Sequence, residues 1–413
     1  KEGIEVNHVF LFSVGFLFYM ILPILVGEFD LFTKLPLMNV WHNIYDAISS
    51  GNLTKYLSFC ILFNIFFHLG NITGKREFKP SSSSTQYKFS RYVLNYIFFA
   101  MIPIILIMLI QQRGNLFEFY QSEFNLTSQK GPLVSASLVL LSMALMHGIH
   151  LQQAESNIKF KDVAMNKLTI TYFIVAILIL SMGGRLYFLS SILMFFVYKS
   201  VYFKKIPKRT IYIMFAGIVL LMGAIGVFRM GENGISLQSI LFNVVSEPIY
   251  TNFSLLAFLQ EGRIELANYP VFLGSQFMNL LPSGLIPNKE NLFVSPESHG
   301  YIIYSPLGAL SSFVSFMINF GMLGSLIIIF LFAFIMNYLK TRVGKLPRVM
   351  YIMISGWMTF TFFRDPFSVS IVKTIFQFSV IIPTLVVFFV IVLSSIPTGR
   401  SVRKPQLDKI SSE

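Results

Sequence analysis

The sequence contains very few cysteines and few acidic residues. Cys60 is the single cysteine in 413 residues, which excludes an intramolecular disulfide and a cysteine-based metal site. Only 19 residues are Asp or Glu, and the five aspartates never form an Asp-x-Asp pair, so we expect no metal and no other cofactor. The sequence also lacks a P-loop and a Gly-rich dinucleotide motif. ATP hydrolysis and nicotinamide chemistry are therefore not indicated.

Charged residues are scarce and apolar residues abundant. Charged side chains make up 12% of the chain, hydrophobic ones 54%, and the mean hydropathy is +0.68, which is typical of a polytopic membrane protein. We predict an all-α protein with one integral membrane domain over residues 1–413 and about ten transmembrane helices. The ten apolar runs cover residues 9–26, 56–72, 92–112, 133–151, 168–182, 186–198, 211–228, 316–339, 349–363 and 375–394.

The basic residues predict how the chain is oriented. Segments 73–91, 152–167, 199–210 and 340–348 and the C-terminal tail hold 21 of the 32 Lys and Arg residues, and they alternate with segments poor in basic residues. Because cytoplasmic loops carry the excess of positive charge, we expect both termini to lie in the cytoplasm. The net charge of +13 then indicates attraction to anionic membrane lipids rather than nucleic-acid binding.

One long polar segment interrupts the apolar pattern. Residues 229–306 are rich in polar and aromatic side chains and are predicted to form a long outer loop that acts as the lid of an active site. His299 is the only histidine in this segment, which makes it the leading candidate for a general base near neutral pH, although a loop histidine is usually only solvated. Glu247, just before Pro248 where a helix could start, is the second candidate.

Arginines border the apolar runs on the predicted outer face. Arg185, Arg229 and Arg364 lie at such borders, and Arg263 lies within the long segment. An arginine at a helix end is often an interfacial anchor, but Arg185 lies between two apolar runs too short for two full crossings. A recessed guanidinium needs an anion or a wet cavity, and a lipid phosphate fits its planar, two-pronged geometry.

Several motifs on this face resemble one known family. They are the Gly183, Gly184, Arg185 turn, Arg229 at the start of the long loop, Ser298, His299, Gly300, the stretch from Asn319 to Gly324, and Phe363, Arg364, Asp365. The order of these motifs and their common place on the predicted outer face resemble those of Wzy-type polymerases of bacterial surface polysaccharides. These polymerases are related in architecture to O-antigen ligases. The resemblance extends over about residues 168–394, more than half of the chain.

The resemblance implies a fold, a substrate and a location. The fold would be similar to the GT-C-like polymerase and ligase architecture, and the enzyme would be a metal-independent glycosyltransferase. Its donor would be an undecaprenyl-diphosphate-linked oligosaccharide, polymerised at the outer face of a bacterial inner membrane. A chain-length-regulating co-polymerase would be a partner. Arg263 and Gly274 also match an arginine-to-glycine spacing discussed for such polymerases.

The reaction assigns a role to each candidate residue. Breaking a sugar–diphosphate bond requires cations at the leaving group, which we assign to Arg185 and Arg229. Arg364 would be a third clamp or a partner of Asp365, and Arg263 is a further candidate for diphosphate binding. Sugar rings would stack on Tyr250, Tyr301 and Tyr304, although tyrosines also form aromatic belts at membrane interfaces. The alternatives are an O-antigen ligase and a lipid-linked-oligosaccharide flippase or exporter.

Overall fold

The computed structural model describes residues 3–33, 38–74, 91–111, 159–181, 185–203, 205–230, 237–261, 264–268, 270, 273–277, 310–342, 345–385, 388 and 392. Nearly all of these residues are helical. The helices of the described residues are α1 (His8–Glu28), α2 (Met38–Thr73), α3 (Arg91–Gln111), α4 (Phe160–Ala164), α5 (Lys167–Ser181), α6 (Arg185–Tyr202), α7 (Lys208–Met230), α8 (Leu237–Gln260), α9 (Leu273–Phe277), α10 (Ser312–Thr341), α11 (Lys345–Met358), α12 (Thr361–Arg364) and α13 (Ser368–Ile381).

Four helices are long and apolar enough to cross a membrane. They are α1, the Gly51–Thr73 part of α2, the Lys208–Val227 part of α7, and α10. The prediction of an all-α membrane protein is confirmed in this form, while the ten crossings remain a prediction. Shorter apolar helices occupy Phe98–Ile107, Lys167–Ser181 and Val369–Leu385, and the predicted run 133–151 lies outside the described residues.

Glycines allow the helices to approach one another closely, as is usual where helices pack within a membrane. A Cβ atom on Gly70 of α2 would lie 2.2 Å from the carbonyl oxygen of Phe330 in α10. A Cβ on Gly223 of α7 would lie 2.3 Å from the Ile240 side chain of α8. Any larger residue at these two positions would push the paired helices apart.

The first part of the predicted outer loop is a packed helix. α8 occupies residues from 237 to 260 within the segment 229–306 and packs against α7 and α2. Its buried face includes Ile249, Asn252 and Leu256. Pro248 lies inside this helix rather than at its start, so Glu247 is held in the middle of a packed element.

The segment that follows α8 docks into a break in α10. Gly321 has a φ of +70°, which favours glycine, and a Cβ there would lie 2.7 Å from Ala267. The amide N–H of Met322 donates to the carbonyl of Glu265 at 2.9 Å, and that of Leu323 donates to Leu266 at 2.9 Å. The break therefore leaves these two amides paired, as a helix in a membrane requires.

Several distant parts of the chain meet at what we call the amino-terminal end of the bundle. Strand β1 (Gly3–Ile4) pairs antiparallel with β2 (Ile206–Pro207). Glu5 Oε1 lies 2.5 Å from Lys340 Nζ, and the N–H of Val6 donates to Ser200 Oγ at 2.9 Å. α1 then begins after Asn7, whose side chain caps the helix by accepting from the N–H of Phe10.

Candidate functional site

Five polar side chains form what we call the charged cluster: Tyr19, Arg185, Glu247, Arg364 and Asp365. Glu247 Oε1 lies 2.9 Å from Arg364 Nε, and its Oε2 lies 3.7 Å from Arg185 Nη2. The hydroxyl of Tyr19 donates to Glu247 Oε1 at 3.2 Å, and Arg364 Nη1 donates to Asp365 Oδ1 at 3.4 Å. Two predicted arginines and one predicted carboxylate are therefore brought together.

Different elements position the members of the cluster. Tyr19 lies in the π-helical segment Leu17–Ile21 of α1, and such segments often occur at functional sites. Arg185 is the first residue of α6, and Arg364 is the last residue of α12. Since Tyr19 is eleven residues beyond His8, the cluster lies roughly 17 Å along α1 from the amino-terminal end.

The charges of the cluster balance one another. Arg185, Glu247, Arg364 and Asp365 supply two cations and two carboxylates, and their side chains are only 16% to 33% exposed. Removing one partner from such a set leaves an uncompensated charge, which is strongly unfavourable. The arginines therefore need the carboxylates as long as no other anion is bound.

Arg364 is held near Glu247 without a complete hydrogen bond. Its Nε atom is at ion-pair distance from Glu247, yet the buried Nε–H has no hydrogen-bond partner in the protein. Arg364 and Glu247 are thus held together mainly by the attraction of opposite charges.

Asp365 lies in the break between α12 and α13, where its surroundings change its acidity. Burial raises the pKa of the Asp365 carboxyl to about 6, while the Arg364 guanidinium acts in the opposite direction and the Glu247 carboxylate adds to the increase. Lys373 of α13 also opposes the increase. Lys373 is a cation within an apolar helix, which is costly in a membrane and commonly functional.

An apolar cavity of about 70 Å³ adjoins the cluster. Its walls come from α1, α7, α8 and the turn after α11. The polar residues among the lining are Tyr19, Asn243, Glu247 and Thr359, and the rest are apolar: Val14, Phe18, Phe215, Ile218, Val219, Met222, Val244 and Phe360. The cavity thus joins a hydrocarbon-like surface to the carboxylate that holds the two arginines.

The remaining predicted site residues are not joined to the cluster by any described contact. Tyr250 lies in α8, three residues after Glu247, and is half-buried. Arg229 lies near the end of α7, but its side chain is outside the description. Arg263, His299, Tyr301 and Tyr304 lie outside the described residues, so their roles remain predictions.

Sequence reasoning missed Tyr19 and Lys373, and it treated Asp365 only as a partner of Arg364. A single tyrosine in an apolar run gives no signal by itself, whereas Lys373, two residues before the predicted apolar run 375–394, is a recognisable one. Among the described residues, no group of three His, Cys, Asp or Glu side chains is placed to hold a metal ion.

Comparisons of this chain with protein-family models, with curated proteins and with solved structures found no match.

Proposed function

We propose that this protein is a membrane glycosyltransferase that polymerises lipid-linked oligosaccharide repeat units. The donor would be a glycan on undecaprenyl diphosphate and the acceptor a sugar hydroxyl of another lipid-linked glycan. The reaction would take place at the outer face of a bacterial inner membrane. The observation that carries the proposal is the meeting of Arg185 and Arg364 on one carboxylate, Glu247, beside an apolar cavity.

Two arginines suit the leaving group of this reaction. In the transfer step, the acceptor oxygen forms a bond to the anomeric carbon, and the bond from that carbon to the diphosphate oxygen breaks. The electron pair leaves with the lipid diphosphate, whose added charge needs positioned cations. Guanidinium groups bind phosphate oxygens in a two-pronged manner, so Arg185 and Arg364 are well suited to this task.

The acceptor hydroxyl loses its proton in the same step. We retain His299 as the base that receives it, because an imidazole titrates near neutral pH. Glu247 suits this role less well: one of its oxygens already serves Arg364 and Tyr19, and the other faces Arg185. We assign Glu247 a positioning role, in which it keeps the two arginines together until the diphosphate binds.

The apolar cavity supports a lipid-linked rather than a soluble donor. It reaches the charged cluster at Glu247 and is otherwise lined mainly by Phe, Val, Ile and Met side chains. A substrate with a phosphate group next to a hydrocarbon chain would match both surfaces at once. A nucleotide sugar would leave the apolar surface without a partner.

The direct test is an assay for polymerisation. Full-length protein in lipid nanodiscs would be incubated with lipid-linked repeat units, and the products separated by size. A ladder of products one repeat apart is the expected result. Arg185→Lys should weaken the ladder strongly, and Arg348→Lys is its matched control, because Arg348 lies over the Tyr202 ring, away from the charged cluster.

Other results of this assay would replace the proposal. Transfer of one glycan to a different acceptor, without a ladder, would favour a ligase. Movement of intact lipid-linked glycan across a vesicle membrane, with no bond broken, would favour a flippase or exporter. Either result would contradict polymerisation.

The proposed orientation has its own test. Both termini would lie in the cytoplasm and the segment 229–306 outside. In a Cys60→Ala background, a membrane-impermeant thiol reagent should label Ser283→Cys and leave Ser81→Cys unlabelled in intact cells. The reverse pattern would move the charged cluster to the cytoplasmic side and contradict the proposed location.

A further inference from the structure

Buried hydrogen-bonding groups that lack a partner in the protein lie where α6 packs against α11 and in the short helix α12 that follows. They are Ser190 Oγ and Trp357 Nε1 at the packed interface and Thr361 Oγ1 in α12. Ser190 is 0% exposed, Thr361 2% and Trp357 3%. The unpaired Nε–H of Arg364 lies one helical turn beyond Thr361. Unpaired buried groups are rare in proteins, so this set requires an explanation.

Two contacts place Ser190 and Trp357 at one helix interface, and the chain leads from Trp357 to Thr361. The Tyr187 and Trp357 rings meet edge to face with centroids 5.5 Å apart. The Ser190 carbonyl would lie 3.0 Å from a Cβ atom on Gly356, the residue before Trp357. Thr361 begins the short helix that Arg364 ends. We call Ser190, Trp357 and Thr361 the polar seam, and its far end adjoins the charged cluster.

Packing alone does not account for the polar seam. A buried polar group without a partner is destabilising, whereas an apolar residue of the same shape carries no such cost. Val in place of Thr361 or Ala in place of Ser190 would fill nearly the same space. The neighbouring Ser191 shows the ordinary arrangement, since its hydroxyl donates to the Tyr187 carbonyl at 2.6 Å.

The chemistry of the seam indicates what it binds. The indole N–H of Trp357 and the Nε–H of Arg364 only donate hydrogen bonds, and the hydroxyls of Ser190 and Thr361 can donate as well. Such a set fits a ligand with several acceptor oxygens. Arg185 and Arg364 would supply the charge for a diphosphate, and the neutral donors would add hydrogen bonds to its remaining oxygens.

We infer that Ser190, Trp357 and Thr361 bind phosphate oxygens of a ligand whose charge is neutralised by the adjoining arginines. This inference rests on the proposed function and extends it, since it assigns the hydrogen bonds that orient the leaving diphosphate. The phosphate could come from a polyprenyl diphosphate or from a bilayer lipid headgroup. The two sources share the chemistry and are separated by experiment.

Trp357 supplies a direct signal for binding. The chain has two tryptophans, so a Trp41→Phe background leaves Trp357 as the only one. Full-length protein in nanodiscs of zwitterionic lipid would be titrated with geranylgeranyl diphosphate, with inorganic pyrophosphate and, separately, with phosphatidylglycerol. A saturable change in Trp357 fluorescence is expected with the diphosphates. The same change with phosphatidylglycerol alone would assign the phosphate to a bilayer lipid.

The variants Ser190→Ala and Thr361→Val give the sharpest test. Each should weaken geranylgeranyl diphosphate binding by about tenfold or more, the loss expected for a hydrogen bond to a charged group. Without ligand, each should leave the midpoint of thermal unfolding unchanged or raise it, because an unpaired group is removed. The matched controls are Ser191→Ala and Thr171→Val, whose hydroxyls donate to backbone carbonyls. They should keep wild-type affinity and lower the midpoint.

The outcomes separate this inference from the proposed function. If both seam variants bind geranylgeranyl diphosphate as the wild type does, the seam binds no phosphate and the inference is overturned, even if polymerisation is observed. Absence of any diphosphate binding by the wild type would overturn it too. Weakened binding by the seam variants in a protein that forms no ladder would support the phosphate site and contradict polymerisation.

Discussion

His8 and Glu247 are both polar side chains held among apolar helices, and they are partnered in different ways. Both ring nitrogens of His8 have neutral partners: Nδ1 lies 3.1 Å from Tyr351 Oη, and Nε2 lies 3.1 Å from Asn71 Oδ1. Asn337 extends this network by donating to the Asn71 carbonyl at 2.7 Å. Glu247 instead holds two arginines by charge, and one of them keeps an unpaired N–H.

Under the proposed function, the His8 network is structural and the charged cluster binds a ligand. The His8 network joins α1, α2, α10 and α11, and its ring nitrogens have no capacity left for a ligand. Near Glu247, the Arg364 Nε–H is close to the carboxylate but makes no well-aligned hydrogen bond, and the charges balance only while the two carboxylates are present. We therefore expect substitutions near His8 to change stability and substitutions near Glu247 to change turnover.

The largest effect is expected for the base on the predicted outer side. His299→Ala should lower turnover by about 10² to 10⁴, the usual contribution of general-base catalysis, while donor binding persists. Single-turnover rates and binding of the lipid-linked donor would be measured separately. Loss of donor binding with no separate effect on the chemical step would make His299 a ligand contact. Near-normal turnover would remove it from the mechanism.

The next effect concerns the guanidinium groups of the cluster. Arg185→Lys and Arg364→Lys keep the charge but lose the planar fork, so each should lower turnover by about 10² or more with the fold retained. Polymerisation rate and unfolding midpoint would be measured on the same preparations. Arg348→Lys is the matched change outside the cluster and should leave turnover as it is. Normal polymerisation by Arg185→Lys would rule out a two-pronged grip on the diphosphate.

The sequence predicted part of this site and could not predict the rest. The alternation of basic segments predicts that Arg185 and Arg364 lie on one face of the membrane, and in the structure both contact one carboxylate, Glu247. The sequence makes Glu247 a candidate base at a helix start before Pro248, whereas Pro248 lies within α8. Tertiary packing decides whether a proline begins or interrupts a helix. Tyr19 becomes visible only once α1 lies beside α8.

The fold, too, could be predicted only in part from the sequence. Apolar runs located the helices well, since the runs 9–26 and 211–228 correspond closely to α1 and α7. They failed for α8, whose Asn243, Ser246, Glu247 and Asn252 lower its hydropathy. Two of these side chains contact other helices: Asn252 donates to the Tyr56 hydroxyl, and Glu247 contacts Arg185 and Arg364. The polar residues that hold α8 against its neighbours are thus the ones that lower its hydropathy.

A smaller effect is expected at the amino-terminal end. Tyr351→Phe removes the hydroxyl that contacts both His8 Nδ1 and the His8 N–H, so it should cost about 1–3 kcal/mol of stability. The midpoint of unfolding should fall, and turnover per folded molecule should stay constant. Tyr212→Phe, at a position 67% exposed, is the matched control. A loss of turnover at an unchanged midpoint would contradict the expectation that substitutions near His8 change stability and substitutions near Glu247 change turnover.

The smallest effect concerns Glu5 and Lys340, and it depends on pH. Burial tends to raise the pKa of Glu5, but the hydrogen bond and charge of Lys340, helped by Asn7 and Lys205, together outweigh it, so the pKa lies below its ordinary value of 4.5. A lowered pKa means that the stabilisation is present above the unfolded-state value and is lost as the pH falls through the folded-state value. Because Glu5 is 41% exposed, solvent screening limits the effect to less than about 1 kcal/mol.

The unfolding midpoints of the wild type and of Lys340→Met test this dependence. At neutral pH the wild type should be slightly more stable, and the difference should disappear once the pH is below the lowered pKa of Glu5. Lys205→Met is the matched control, since Lys205 acts on Glu5 by charge alone and more weakly. A difference that persists after Glu5 is protonated would show that Lys340 stabilises this end by packing its side chain rather than by its charge. Turnover should be the same in all three proteins, because the ion pair lies at the amino-terminal end, away from Glu247.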